Sequence, residues 1–424
     1  MQNGRGYNRN GGGRAVRRDT PVKRTAASNV HKRPPKQSGH GIRFLNKIKI
    51  STGNVDYMFL GVVIVLITFG LVMLFSASSG TAYSTYGNAY YFVIRQAAWT
   101  AIGAVLMMIL SKIDYHSYNA KINMIAYVVV IVLLIAVLAI GTEVKGAKRW
   151  IFGFQPSEAA KAVVVIVLAY TLSLPNNQKD LCTVRRGIFP YLKTVFDGVI
   201  MPHGLLVGGF CLLLSKQPHF SCILLIVGVA AVMFIAAGIP MRHIVICGGA
   251  VAAILVIYGV SAEYRLARLT SFLDPFKDMQ GDGYQIVQSL YAIGSGGLFG
   301  VGLGKSRQKF MSLPEPQNDF IFSVLCEELG FIGALVLIIL FAALLYRGIK
   351  IAKNSPDLFG SLLVVGFVAQ IIIQVILNIA VVTSTVPVTG MPLPFFSYGG
   401  TAMCITMAEM GIVLNVSRQS KMLI

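Results

Sequence analysis

The sequence predicts an all-α polytopic membrane protein of about ten transmembrane helices, with a long extracytoplasmic loop between the seventh and eighth. Three observations carry this. The 424 residues are 55% hydrophobic and only 13% charged, with a mean hydropathy of +0.68, which is membrane composition. The apolar residues come in blocks of about 20, the length that crosses a bilayer as a helix, not at amphipathic spacing. Lys and Arg alternate between connections in the manner of the positive-inside rule.

The spans read, in order, as 57 to 77, 90 to 111, 122 to 141, 156 to 174, 196 to 215, 220 to 239, 242 to 260, 319 to 346, 358 to 383 and 398 to 417. Five basic segments share one side with the N-terminus. These hold Lys112 and Lys121; Lys179, Arg185, Arg186 and Lys193; Arg242; Arg347, Lys350 and Lys353; and Arg418 with Lys421. The connections at 80 to 90 and 384 to 396 hold no Lys or Arg. Both termini are therefore expected in the cytoplasm.

The net charge of +20 would suggest a nucleic-acid partner in a soluble protein, but its location argues otherwise. Residues 1 to 49 hold 13 Lys/Arg against Asp19 alone, or +12, which leaves +8 for the membrane body. This Gly-, Asn- and Pro-rich stretch has too little apolar surface to offset the entropy of ordering and reads as a disordered cytoplasmic tail. It can contact anionic headgroups; nucleic acid is not expected. The transmembrane domain then runs over 50 to 418, with 261 to 318 as its outer loop, and 419 to 424 form a short cytoplasmic tail. No cleavable signal peptide is evident, because the first apolar run begins late and is long enough to span.

Two outward segments carry basic residues against the topological bias. One holds Lys145, Lys148 and Arg149, and the other Arg265, Arg268, Lys277, Lys305, Arg307 and Lys309. They suit an anionic ligand, or plain headgroup anchoring. The loop itself has Gly-rich turns at 281 to 283 and 294 to 297 and an amphipathic piece at 284 to 293. The run Gly300 to Ser306 lacks the first Gly of a Walker A motif, where Phe299 stands, and no strand precedes it, so it is not read as a nucleotide site.

Asp319 falls at the start of the eighth span. A helix N-terminus favours an anion there, so the residue reads either as a cap or as a general base held ionised at the membrane surface. Glu158 and Lys161, three apart, can pair on one helix face. Glu327 and Glu328 lie about 12 to 14 Å further along the helix of Asp319 at 1.5 Å per residue, available for a polar cavity, a proton relay or pairing with neighbouring helices. The six Cys and six His show no metal-ligand spacing, and no Ser-His-Asp arrangement is readable.

Seven strings occur together in order over about 55 to 418. They are Lys145-Gly146-Ala147-Lys148-Arg149-Trp150, Gln155-Pro156-Ser157-Glu158-Ala159-Ala160-Lys161, Gly283-Tyr284-Gln285 through Gln288-Ser289, Ala292-Ile293-Gly294-Ser295-Gly296-Gly297, Leu313-Pro314-Glu315 with Asp319-Phe320-Ile321-Phe322, Glu327-Glu328-Leu329-Gly330, and Pro392-Leu393-Pro394 with Ser397-Tyr398-Gly399-Gly400. This pattern resembles the SEDS (shape, elongation, division and sporulation) family of FtsW, RodA and SpoVE, and the stretch from Gly302 to Lys309 is closer to the FtsW and SpoVE branch. The resemblance implies a ten-helix glycosyltransferase that polymerises lipid II into peptidoglycan at the outer face of the bacterial cytoplasmic membrane. It implies Asp319 as the catalytic residue, and Arg149, Glu158, Lys161, Lys148, Lys305, Arg307, Glu315 and Ser397 as substrate-binding residues. The partners it implies are the polyprenyl pyrophosphate-linked substrate, a single-span class B transpeptidase (a penicillin-binding protein), other division or sporulation proteins, and membrane lipids. A divalent cation, Mg or Mn, could assist, but no ligand set commits the sequence to one. Two departures stand out: His219 follows Gln217-Pro218 where the family commonly has Asp, and Gln317-Asn318 replaces His-Thr. A lipid II flippase or transporter is the alternative reading.

Overall fold

The computed structural model describes residues 53–144, 147–175, 193, 195–260, 272–277, 279, 281, 283–311 and 313–420. The basic tail, the connection at 176–192, Lys145, most of 261–282 and the last four residues lie outside the described residues.

The first helix, α1 (Tyr57–Tyr86), is capped by Asp56, whose Oδ1 accepts from Phe59 N at 2.9 Å while Oδ2 pairs with Arg347. Its 30 residues make about 45 Å, well beyond a hydrocarbon core of about 30 Å. The expected span 57 to 77 is therefore extended by more than two turns, until Gly87 turns left-handed and ends it. Next come α2 (Tyr91–Leu110), α3 (Ala120–Ile140) and an antiparallel hairpin of β1 (Thr142–Val144) and β2 (Ala147–Trp150). Pro156, at the first position, opens α4 (Pro156–Ser173). A π-helical stretch, Phe196–Gly204, leads into α5 (Leu205–Lys216), followed by α6 (Phe220–Ala236) and α7 (Met241–Val260).

The outer loop carries α8 (Tyr284–Gly296) and a single turn, α9 (Gln308–Met311). The chain closes with α10 (Ile321–Lys353), α11 (Leu358–Val382) and α12 (Gly400–Gln419). Among the described residues eight helical stretches, one of them the π-helical stretch together with α5, are long and apolar enough to cross a membrane, and α6 and α7 are shorter apolar helices. Of these, α4, α11 and α12 bury most of their surface inside the protein, whereas α2 and α3 bury little and present theirs outward. The Gly294 to Gly296 stretch, expected as a turn, is the last turn of α8; the chain turns only at Gly297.

The largest departure from the sequence reading is in α10. It is not one continuous span from Asp319. Gly330, at φ 66 and ψ −165, breaks it into residues 321–329 and 331–353. The break exposes backbone groups that must be paired elsewhere, and the loop after α8 pairs them. Val301 N and Gly302 N donate to the carbonyls of Glu327 and Glu328, and Phe331 N and Ile332 N donate to those of Gly297 and Leu298. Glu327 and Glu328 thus sit in the last turn of a short helix buried at every residue but Leu329, not partway down a long one. Both carboxylates are engaged. Glu327 accepts from Ser306 Oγ and from Arg307 N at 2.8 Å, which anchors the start of α9. Glu328 pairs with Lys309 at 2.6 Å and accepts from Ser76 of α1.

The crossing is close enough that a Cβ on Gly330 would stand 2.4 Å from Gly300 N. Gly330→Ala is expected to destabilise the protein by about 2–4 kcal/mol, combining a backbone region open essentially to glycine alone with an overpacked contact. A thermal unfolding curve in detergent checks this; an unchanged midpoint would refute the account of the break.

Candidate functional site

The site is organised by α11. In this otherwise apolar helix Gln370, Gln374 and Asn378 follow one another at intervals of four, so they line one face, and all three are buried. Buried amides require partners, and theirs come from three directions. Gln370 Nε2 donates to the Glu409 carboxylate of α12 at 2.8 and 3.0 Å. Gln374 Nε2 donates to Pro392 O at 2.9 Å, and its Oε1 accepts from Lys161 Nζ at 3.5 Å. Asn378 Nδ2 donates to Asp319 O at 2.8 Å and to Met391 O at 2.7 Å.

Asp319 itself lies in the turn before α10, which begins at Ile321 with Phe320 in the cap position. The loop between α11 and α12 closes over this turn. Ser397 Oγ donates to Asn318 O at 2.6 Å and accepts from Leu393 N at 2.7 Å, and Tyr398 N donates to Gln317 O at 2.9 Å. The Asp319 carboxylate faces Gly390, where a Cβ would stand 3.3 Å from Oδ2. Asp319 is half-buried, close to a wall of protein.

On α4, Glu158 and Lys161 form a 2.7 Å ion pair with both side chains almost wholly buried. The pair is neutral overall, and Lys161 joins it to Gln374 and so to the loop over Asp319. Arg149, at the end of the hairpin, donates to Pro218 O at 2.6 Å and Gln217 O at 3.5 Å, which fixes β2 to the turn between α5 and α6. His219, in that turn, is pushed down to about 3 by burial, with Arg149 and Lys161 as nearby cations; its imidazole is neutral at physiological pH. Ser221 at the start of α6 donates to Thr389 O, so the same loop is held from this side too.

Of the residues singled out from the sequence, Asp319, Ser397, Glu158 and Lys161 therefore fall into one hydrogen-bonded unit, with Arg149 beside it. Lys148, Lys305, Arg307 and Glu315 are exposed. Glu315 accepts from Asn318 Nδ2 at 2.8 Å, one residue from Asp319, whereas Lys305 and Arg307 flank the segment anchored by Glu327. The sequence reading missed Gln370, Gln374, Asn378 and Glu409. Their signal was available: three amides at helical spacing inside a hydrophobic run, and a lone acid in the last span, each costly in a membrane unless paired or functional. Among the described residues no three His, Cys, Asp or Glu side chains cluster as a metal site.

Apolar helices, including eight candidate membrane spans among the described residues, around a buried polar core with the half-buried Asp319 at its edge, define a polytopic membrane protein. The chain belongs to the FtsW/RodA/SpoVE family: the family model described as "Cell cycle protein" matches residues 56–422. It is 40% identical over 371 residues to Stage V sporulation protein E of Bacillus subtilis, covering 86% of this chain and 98% of the relative. It is 39% identical over 374 residues to a probable peptidoglycan glycosyltransferase FtsW of Trichlorobacter lovleyi, covering 87% and 94%. Among solved structures, it resembles a chain from work on "Structural coordination of polymerization and crosslinking by a peptidoglycan synthase complex". There the TM-score is 0.69 at 28% identity, over 86% of this chain and 98% of that one. The rod shape determining protein RodA of Thermus thermophilus matches with a TM-score of 0.59 at 27% identity, over 87% and 98%.

Proposed function

We propose that this chain polymerises lipid II by inverting glycosyl transfer, with Asp319 as the general base. Family membership makes it a bacterial membrane protein and a peptidoglycan glycosyltransferase of cell division or sporulation. The acceptor sugar's 4-hydroxyl attacks the anomeric carbon of the growing chain, Asp319 takes the hydroxyl proton, and polyprenyl pyrophosphate leaves. The observation that carries the assignment is the fixing of Asp319. Its turn is tied to α11 and to the 390–398 loop through main-chain atoms, and the residue, half-buried as a whole, is held where a base has to stand to come within hydrogen-bond reach of a substrate.

Arg149, Lys148, Lys305 and Arg307 supply positive charge on the same side of the sequence topology for the leaving pyrophosphate. The Glu158–Lys161 pair and Ser397 shape the wall against which the substrate lies, and Glu315 orders the approach to Asp319 through Asn318. Among the described residues no cluster of three His, Cys, Asp or Glu would cage a divalent cation; one would be held by a carboxylate together with substrate phosphates, and no step above runs through it. The charge asymmetry of the connections supports a topology with both termini in the cytoplasm and the loop before Asp319 outside. A single-span transpeptidase that cross-links the product is the partner this function calls for, in keeping with the complex named for the structural relative.

The purified chain incubated with lipid II in detergent, where no two sides exist, is expected to yield glycan longer than the starting disaccharide. A chain that moves labelled lipid II across liposomes without lengthening it in either setting would be a flippase, and the proposal would fall.

A further inference from the structure

Asp319 stands in a turn, outside the hydrogen-bond ladder of α10, so helical periodicity does not fix its position. Contacts from outside the helix hold it, and Asn378 is at the crossing point. Asn378 is 1% exposed and lies in the last two turns of α11. Its single nitrogen donates to two carbonyl oxygens, that of Asp319 at 2.8 Å and that of Met391 at 2.7 Å. A primary amide nitrogen carries two hydrogens, so each is used once and the two strands of chain are clasped together. The acceptor end of Asn378 makes no hydrogen bond among the described residues. What the site uses is therefore the paired donor.

From this geometry we infer that Asn378 is the positioning residue of the transfer reaction, setting where the Asp319 carboxylate stands relative to the 390–398 loop and hence to the substrate. The inference rests on Asp319 being the general base. Gln374, one turn earlier on α11, makes the parallel tie to Pro392, so α11 acts as a rail along which the loop is pegged at two successive points. A catalytic group held by a rigid helix is placed more accurately than one held by its own turn.

The chemistry of the clasp distinguishes this from simple packing. Asp is nearly isosteric with Asn but brings no hydrogen when ionised, and would set a carboxylate against two carbonyl oxygens. Leu matches the shape and brings none either. Gln restores the amide on a longer arm. A misplacement of about 1 Å costs about 100-fold in rate. Asn378→Asp and Asn378→Leu are accordingly expected to lower the kcat of lipid II polymerisation about 100-fold, with a smaller change in KM because Ser397 keeps its own ties to Asn318 and Leu393. Asn378→Gln is expected to recover at least about tenfold of that loss.

Initial rates against lipid II concentration, with a thermal unfolding midpoint for each variant, test this, and Asp319→Asn is measured alongside. A kcat loss in folded protein with partial rescue by Gln supports the inference. A wild-type kcat in Asn378→Leu, or a rate loss that merely tracks the fraction unfolded, overturns it. If Asp319→Asn is inactive while Asn378→Leu turns over normally, only the positioning role falls. If Asp319→Asn remains active, the assignment of the base falls first, and the inference with it.

Discussion

The Asp319→Asn protein is expected to fold, to bind lipid II and to make almost no glycan. The substitution keeps the shape of the side chain and every main-chain tie described here, since Asn378 bonds the Asp319 carbonyl and Ser397 bonds the Asn318 carbonyl. What it removes is the ability to accept the acceptor hydroxyl's proton. General-base catalysis contributes about 10²–10⁴-fold, so the rate should drop into that range while KM changes little. Asp319→Glu moves the carboxylate by one methylene and should recover part of the rate, at a cost set by the misplacement. Counting glycan products per enzyme over a fixed time checks both.

The second large effect is on stability. Lys161→Met leaves the Glu158 carboxylate buried without its 2.7 Å partner, and a charge stranded in this way costs about 3–5 kcal/mol. It also removes the Nζ that meets Gln374 Oε1, so the loop over Asp319 should loosen as well. The double variant Glu158→Gln/Lys161→Met withdraws both charges, and most of the lost stability should return. Thermal unfolding of the single and double variants decides the matter. A double variant no more stable than Lys161→Met would show that the ion pair is not what the single substitution breaks.

The sequence revealed what is local and left hidden what is paired across distance. Apolar blocks about 20 residues long report spans through composition alone, and the apolar helices lie close to where those blocks predict them. The amphipathic stretch from Tyr284 forms α8 as its pattern implies. The break at Gly330 was not legible, because its cause is a non-local pairing. Broken-helix backbone groups at 327–332 are paired by the glycine-rich loop at 297–302, and nothing in the helical pattern of 319 to 346 signals that a loop will insert. For the same reason Glu327 and Glu328, adjacent in sequence, have separate structural tasks. One anchors α9 and the other pairs with Lys309. Arg149 was readable as a basic residue on an unexpected side, but its bonds to Gln217 and Pro218 carbonyls depend on the turn before α6 coming alongside the hairpin.

The amides of α11 are a different case. They were visible as polar residues in an apolar run, yet a resemblance drawn from short motifs gives weight to the charged members of each motif. A neutral side chain whose work is to hold a carbonyl leaves a weaker mark than an acid or a base. Spacing was the better guide: positions 370, 374 and 378 share one face, and that face runs from Glu409 past the Glu158–Lys161 pair to Asp319.

The most direct test of the account is the length distribution of glycan made in detergent from fluorescent lipid II by equal amounts of folded wild-type and Asp319→Asn protein. The account predicts long strands from the wild type and unextended lipid II from the variant. Strands of equal length and amount from both would contradict it.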